Sequence, residues 1–326
     1  MNYEMIRAAD QRLNGYVRRT PLLSAPQLDE IAGRRVLIKA ENLQHTGSFK
    51  FRGGWSALSA LGAEARSKGV IAFSSGNHAQ GIAMAAAAHE APATIVMPKD
   101  APQAKIRNTQ WLGADIQLYD RDDEKREELG RKLSEEQGLT LIQPYDEPQV
   151  IAGQGTCGLE IAKQAKAAGV EVADVLICCG GGGLTSGIAL ALEAEAPGLK
   201  PRPVEPEGFD DVTRSLEAGE IQRNDKSSGS LCDAILTPQP GDITFPIIKR
   251  LCGPGIVVTD EEALRAMALV FRHLNMVLEP GGAVAVAAAL FHPGESDGKD
   301  VIAIASGGNV DADIFARAIT EHGDTA

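Results

Sequence analysis

Short runs of consecutive apolar, often β-branched residues alternate along this chain with longer stretches whose apolar residues recur every three or four positions. The short runs at 36–39, 70–73, 94–97, 116–119, 139–142, 175–179, 256–259 and 301–305 predict strands, and stretches such as 76–89 and 122–137 predict helices. The strand runs read as largely continuous apolar stretches instead of alternating ones, which is what a parallel sheet covered on both faces needs. Strand–helix alternation of this kind predicts a doubly wound α/β fold. Thr259 with Glu262 three positions on makes a capping box for a helix reaching Leu274. Pro98 and Pro102 bracket a turn, and Pro102 suits the first turn of the helix that follows.

Composition narrows the class. Across 326 residues, 32 Lys and Arg face 44 Asp and Glu, a formal net charge of −12. That balance repels phosphate backbones and anionic lipid, and argues against nucleic acid or a membrane as the main partner. No apolar run reaches the ~18 residues of a spanning helix, and the polar N-terminal segment lacks the apolar core of a signal peptide. The five cysteines (Cys157, Cys178, Cys179, Cys232, Cys252) form no CxxC pair and no cluster with the six histidines, so they read as reduced thiols. The expectation is a cytoplasmic globular protein of one large or two medium domains.

Three loops at the carboxyl ends of predicted strands carry candidate chemistry, where open α/β sheets bind ligands. In Cys179-Gly180-Gly181-Gly182-Gly183-Leu184, four glycines between a strand and a helix allow a tight turn that aims successive N–H groups inward at the positive end of the helix dipole. This is an anion cradle suited to a phosphate. No register fits GxGxxG, and no GK[ST] occurs, so a nucleotide fingerprint is absent. Ser74-Ser75-Gly76-Asn77-His78 offers hydroxyls and amides at a second helix start, fit for a substrate carboxylate or simply for capping. Ser306-Gly307-Gly308-Asn309 by itself passes for an ordinary turn.

A fourth feature is Thr46-Gly47-Ser48-Phe49-Lys50-Phe51-Arg52-Gly53. A lysine at a helix start meets the wrong end of the dipole. Flanked by two phenylalanines, Lys50 reads as desolvated, with a lowered pKa that makes it a nucleophile. A reactive lysine and a phosphate cradle without a nucleotide motif suggest a Schiff base with a phosphorylated aldehyde, pyridoxal 5'-phosphate (PLP).

These segments, together with Ala152-Gly153-Gln154-Gly155-Thr156, occur in the order found in fold-type II PLP enzymes, the tryptophan synthase β-like fold of two doubly wound domains. The chain resembles the serine/threonine dehydratase and serine racemase family over nearly its whole length. The resemblance implies that Lys50 carries PLP, that the amides of Gly180, Gly181, Gly182, Gly183 and Leu184 bind its phosphate, and that Phe49 packs on the ring. It also implies that Asn77 bonds the cofactor's 3-oxygen and that Ser306 faces the pyridine nitrogen. A hydroxyl there leaves the ring neutral, which favours prompt β-elimination over transamination. Ser74, Ser75, Gly76 and His78 are implied substrate contacts, with Ser75 a second acid/base on the face opposite Lys50.

Further implications concern metal, substrate and assembly. Glu205-Pro206-Glu207-Gly208-Phe209-Asp210-Asp211 resembles the divalent-cation site of the racemase branch, with carboxylates of Glu205 and Asp211, the Phe209 carbonyl and waters around Mg²⁺, Mn²⁺ or Ca²⁺. The prolines in the preceding Lys200-Pro201-Arg202-Pro203-Val204 weaken the strand expected there or force it to an edge. Leu118-Tyr119-Asp120-Arg121-Asp122-Asp123-Glu124-Lys125 and Tyr145-Asp146-Glu147-Pro148 resemble 3-hydroxyaspartate dehydratases, whose substrate's β-carboxylate needs a cation. Arg131, Lys132 and His45 are the candidates. The implied reaction is dehydration and deamination of 3-hydroxyaspartate to iminosuccinate or oxaloacetate plus ammonia. The alternatives are an L-threonine/L-serine dehydratase, a serine racemase, a hydroxyectoine-pathway dehydratase, or a catalytically silent PLP- or amino-acid-binding protein. By resemblance, residues 1–68 and 147–326 form a large PLP-binding domain, residues 69–146 form a small mobile one, and the protein is a homodimer. By the same resemblance, no regulatory domain is expected after the Asn309 turn, which implies a catabolic or assimilatory role.

Overall fold

The computed structural model describes residues 1–101, 103–120, 126–295 and 298–323. Among these, ten strands form two sheets flanked by helices. In chain order they are β1 (Leu22–Leu23), β2 (Arg35–Ala40), β3 (Val70–Phe73), β4 (Ala93–Pro98), β5 (Asp115–Tyr119), β6 (Thr140–Leu141), β7 (Ala173–Cys178), β8 (Leu199–Pro206), β9 (Ile256–Val258) and β10 (Asp300–Ala305). One sheet runs β1-β2-β10-β7-β8-β9 and the other β5-β4-β3-β6. Every pairing is parallel except β1 on β2.

All eight expected strands are present, with ends shifted by at most two residues, and the α/β fold follows from them. The central strands have the anticipated cause for their apolar continuity, since β3 and β7 are buried at every position, whereas the edge strand β5 is largely exposed. Helix Pro280–Phe291, buried from Pro280 to Leu290, packs on one face of the larger sheet, and helices Pro148–Ala167 and Gly183–Glu195 cover the other. The capping box forms as read: Glu262 N–H donates to Thr259 Oγ1 at 3.2 Å, and Thr259 N–H donates to Glu262 Oε2 at 2.8 Å. All five cysteines are unbridged. Pro102, Arg121, Asp122, Asp123, Glu124 and Lys125 lie outside the described residues, and the helix expected over 122–137 is described from Arg126 to Gln137.

β8 departs from expectation. It is neither broken nor at an edge but lies between β7 and β9. Proline survives there because of the side on which its missing N–H falls. The Pro201 carbonyl accepts from Gly253 N–H at 3.0 Å and the Val204 carbonyl from Cys179 N–H at 2.9 Å, so Pro201 and Pro203 face the β9 side. β9 pairs only from Val204 onward, leaving no ladder bond for the prolines to lose. Arg202 faces β7 instead and forms a buried pair with Asp174 at 3.3 Å.

Glycines bring the Lys50–Ala60 helix close to its neighbours. A Cβ at Gly54 would lie 2.8 Å from the Gly81 carbonyl, and one at Gly81 would lie 3.0 Å from the Lys50 backbone. Arg52, with 0% exposure, then fixes the helix electrostatically. Its guanidinium donates to both Glu41 oxygens at 2.8 Å, to Glu160 at 2.8 Å and to Thr156 at 3.1 Å, while Lys39 reaches Glu160 at 2.6 Å. Removing one member of such a network strands a buried charge. We expect Arg52→Ala to destabilise the fold by about 3–5 kcal/mol, read as a lowered melting temperature, with Glu41→Ala in the same chain recovering part of the loss. Additive losses would show that the two do not act as a pair.

Candidate active site

A cleft of about 180 Å³ is lined by the loops leaving β3, β7 and β10 and by the start of the Lys50–Ala60 helix. Backbone bonds bind these pieces together: Phe49 N–H donates to the Ser306 carbonyl at 3.2 Å, and Gly308 N–H donates to the Gly47 carbonyl at 2.9 Å. Lys50 is the first residue of its helix, and its Nζ donates to the Pro144 carbonyl at 2.7 Å. Burial lowers its pKa to about 8, against the opposing pull of Glu279. Of the two flanking phenylalanines, Phe49 reaches the cleft, its ring centroid 5.2 Å from Lys50 Nζ. Phe51 turns instead into the core against His45 and Trp55.

The glycine loop is a cradle with unmet donors. Gly182 has φ +88°, which only glycine adopts freely, and a Cβ at Gly181 would run into the Tyr145 ring. Ser186 N–H donates to the Gly182 carbonyl at 2.8 Å, so the amides of Gly183, Leu184 and Thr185 precede the first helical bond and point out of the helix end. Beside them, Thr185 Oγ1 and both side-chain polar atoms of Gln154 are buried without a partner among the described residues. Buried polar groups are ordinarily satisfied. An anion seated on the loop would supply acceptors here, so the donor set fits a phosphate.

The loop after β3 divides its work. Ser74 Oγ accepts from Gly76 N–H at 3.2 Å, a local turn bond, while Ser75 and Gly76 line the cleft. His78 is buried, and its Nε2 faces the Ile142 carbonyl at 3.1 Å, so Nε2 carries the proton. Burial, helped by Lys50, holds its pKa down to about 3, and the ring is neutral. Asn77 Nδ2 donates to Glu279 Oε1 at 2.6 Å, and Asn309 Nδ2 donates to Asn77 Oδ1 at 2.7 Å. Ser306 lines the cleft from the end of β10.

The cations fall differently from the reading. Arg131 and Lys132 are exposed on the Arg126–Gln137 helix and do not line the cleft; Lys132 sits 4.0 Å from Glu136 at 67% exposure. His45 packs edge-on against Phe51, outside the lining. Among the described residues the cleft-lining cations are Lys50 and Lys105, the latter held at 3.5 Å by Asp233 and 3.8 Å by Asp311. A lysine in an unpatterned helix gives no hint of facing a cleft, and Lys105, Gln154 and Thr185 acquire meaning only from what surrounds them. Glu279 was hidden by its successor Pro280, since Glu-Pro reads as a helix start.

Away from the cleft, Glu205 ends β8 and Asp211 opens the Asp211–Ala218 helix. Glu205 accepts from Val212 N–H at 2.9 Å and from Thr213 N–H and hydroxyl at 2.7 Å. Asp211 Oδ1 accepts from Asn224 at 2.6 Å, whereas its Oδ2 is buried with no partner among the described residues. Burial raises both carboxyls above the ordinary range, and for Glu205 the nearby Asp211 charge adds to the rise. Phe209 is buried in the intervening turn. An oxygen set with one orphaned carboxylate atom fits a hard divalent cation.

A family model described as pyridoxal-phosphate dependent enzyme matches residues 13–307. An L-threo-3-hydroxyaspartate ammonia-lyase from a Pseudomonas species is 43% identical over 96% of this chain and 97% of its own. A serine racemase from Schizosaccharomyces pombe is 38% identical over 98% and 97%. Among solved structures, the threonine deaminase of T.th. superposes with a TM-score of 0.89 at 43% identity, covering 95% of this chain and 99% of that one. The resemblance read from the motifs is thus borne out.

Lys50 yields a prediction independent of turnover. With its pKa near 8, about half its amine is neutral at pH 8, against under about 1% for an ordinary lysine. In cofactor-free protein, one lysine should react with an amine-directed reagent with a midpoint near pH 8, and Lys50→Arg should abolish that phase. A midpoint above pH 10 would show the amine to be solvated.

Proposed function

Because the chain belongs to the pyridoxal-phosphate dependent enzyme family, we propose that it eliminates water from 3-hydroxyaspartate and releases ammonia, an ammonia-lyase reaction with PLP as cofactor. The observation that carries this reading is the meeting in one cleft of a lysine of lowered pKa, a glycine cradle with unmet donors, and a second cation, Lys105. The relatives support the substrate: the Pseudomonas protein at 43% identity is an L-threo-3-hydroxyaspartate ammonia-lyase.

Bound in the cleft, PLP supplies an aldehyde that condenses with amines and a ring that accepts the electron pair left when the α-proton departs. Lys50 would hold the cofactor through Nζ, and the same nitrogen, its charge disfavoured by burial, would take the α-proton. The amides of Gly180 through Leu184, with Thr185 and Gln154, hold the phosphate. Phe49 would pack on the ring, Asn77 would donate to the 3-oxygen, and Ser306 would offer the ring nitrogen a neutral hydroxyl. The helix start at Asn77, with Ser74, Ser75 and Gly76, takes the α-carboxylate, and His78, neutral and bonded to Ile142, anchors that start. Ser75 is the acid/base on the face opposite Lys50. Lys105 meets the β-carboxylate in place of Asp233 and Asp311, the role for which the sequence offers Arg131, Lys132 and His45. Elimination removes the α-proton and the β-hydroxyl as water; the released imine takes up water, so that 3-hydroxyaspartate ends as oxaloacetate and ammonia.

Glu205, Asp211 and the Phe209 carbonyl would hold a divalent cation, Mg²⁺ first and Mn²⁺ or Ca²⁺ otherwise. Residues 1–68 and 147–326, which contain the larger sheet, form the PLP-binding domain; residues 69–146, with β3 to β6, close over substrate and exclude water. A cytoplasmic homodimer completes the reading; among the described residues no helix is long and apolar enough to cross a membrane.

The test is a substrate panel on PLP-loaded protein with Mg²⁺: each 3-hydroxyaspartate stereoisomer, L- and D-serine, and L-threonine, with ammonia and chiral product analysis. Preference for one hydroxyaspartate isomer by tenfold or more in kcat/KM is expected. Turnover confined to threonine or serine, or inversion of serine, would move the assignment to the dehydratase or racemase reading that the 43% and 38% relatives also allow. Lys105→Met should raise KM for hydroxyaspartate at least tenfold while sparing serine. For the cation site the sign follows from the raised carboxyls: near pH 6 the cation must displace protons from both, and near pH 8 it meets an ionised Asp211 and a Glu205 that is about half ionised. Mg²⁺ should therefore raise the melting temperature more at pH 8 than at pH 6, and Asp211→Asn should remove the difference.

A further inference from the structure

We infer that Glu279 is a positioning residue which, with Asn309, locks the Asn77 amide so that one N–H is left facing the cofactor's 3-oxygen. The inference rests on the cofactor placement proposed above. Its geometry reads in one direction only. Asn309 Nδ2 donates to the Thr46 carbonyl at 2.7 Å and to Asn77 Oδ1 at 2.7 Å, using both of its protons. Asn77 must therefore accept through its oxygen and donate through its nitrogen, and Glu279 Oε1, at 2.6 Å, must be the acceptor. One Asn77 N–H is thereby spent. The other has no partner among the described residues, and the side chain lines the cleft that holds Lys50.

Glu279 has no other structural duty that explains a carboxyl here. It occupies the cap position of helix Pro280–Phe291, where a side chain ordinarily bonds first-turn amides, yet makes no such bond. Its backbone N–H donates to the Gly307 carbonyl at 3.1 Å, and a Cβ at Gly307 would overlap its Oε1, so the loop after β10 is shaped to let the carboxyl through. At 5% exposure the group faces the Asn77 amide and the charges of Lys50, Lys105 and Asp233, without a hydrogen-bonded cation of its own among the described residues. Burial raises its pKa to about 8, and in the neutral form it still offers an oxygen to Asn77. Three loops thus converge on one amide. A free Asn side chain rotates among rotamers and can flip end for end; this one can do neither.

The test reads the visible absorption of bound PLP, whose band and pH midpoint report hydrogen bonding at the 3-oxygen. Wild type, Glu279→Ala, Glu279→Gln, Asn77→Ala and the Glu279→Ala/Asn77→Ala double variant are loaded with PLP and titrated. Glu279→Ala should move the midpoint in the same direction as Asn77→Ala, and the double variant should move it no further than the larger single shift. Glu279→Gln, which keeps an oxygen facing Asn77, should restore most of the wild-type spectrum. In turnover, kcat should fall tenfold or more in the Ala variant and be recovered to within about threefold by Gln. Should Glu279→Ala not fold, Asn309→Ala, which removes the amide's other anchor, must shift the spectrum the same way. A wild-type spectrum in either Ala variant, or shifts that add in the double variant, would overturn the inference. A wild type that takes up no PLP would instead overturn the cofactor reading, and this inference with it.

Discussion

Arg52 lies wholly out of solvent, two residues from Lys50, and its guanidinium reaches Glu41 at the end of β2 and Glu160 in the middle of a long helix. Burying three or four charges is costly, and a nonpolar cluster of the same shape could be at least as stable. What charge supplies here is direction. A guanidinium fork that binds both Glu41 oxygens at 2.8 Å permits one rotation of the Lys50–Ala60 helix, and glycines at 53, 54, 81 and 153 permit one depth of packing. With rotation and depth set, Lys50 Nζ is directed into the lining of the cleft, against the Pro144 carbonyl. Every other element of the site is placed relative to that nitrogen.

The cleft then works by withholding partners. Lys50 has a carbonyl and no carboxylate within hydrogen-bond reach among the described residues, and it stands at the helix end that repels cations, so its amine is easily discharged. Gln154 and Thr185 hold polar atoms for which the described residues provide no partner, and the glycine loop does the same with backbone amides. Glu279 is buried beside an amide instead of an ion. Each group is a local deficit of solvation, and together they leave the cleft with donors and an amine to offer a ligand. Such deficits are tolerated because the frame beneath them, the buried strands and the Arg52 network, is over-determined.

Strand and helix positions were legible because their cause is local. An apolar run of four to six residues in an α/β chain has few alternatives to a buried parallel strand, and β3 and β7 show it at every position. β8 was misjudged because the reading assumed a ladder bond at each residue; whether a proline's missing N–H matters depends on where the next strand begins, and β9 begins at Ile256, opposite Val204. The flanking phenylalanines of Lys50 looked equivalent along the chain, but one full residue of helical rotation on each side sends Phe49 to the cleft and Phe51 to the core.

By itself, the order of residues determined the α/β class, the three loops at strand ends, a lysine at a helix start and a glycine loop before a helix, since each rests on properties confined to a few neighbours: glycine's freedom at positive φ, a helix's own dipole, the spacing of apolar positions. Tertiary structure alone decided which charges meet. Arg131 and Lys132 face solvent while Lys105 enters the cleft, Glu279 finds Asn77 across 202 positions of chain, and Asn309 reaches the same amide across 232. Electrostatic and hydrogen-bonding partners are chosen by distance in space, and no local pattern encodes which side chains the packing of two sheets will bring within three ångströms of each other.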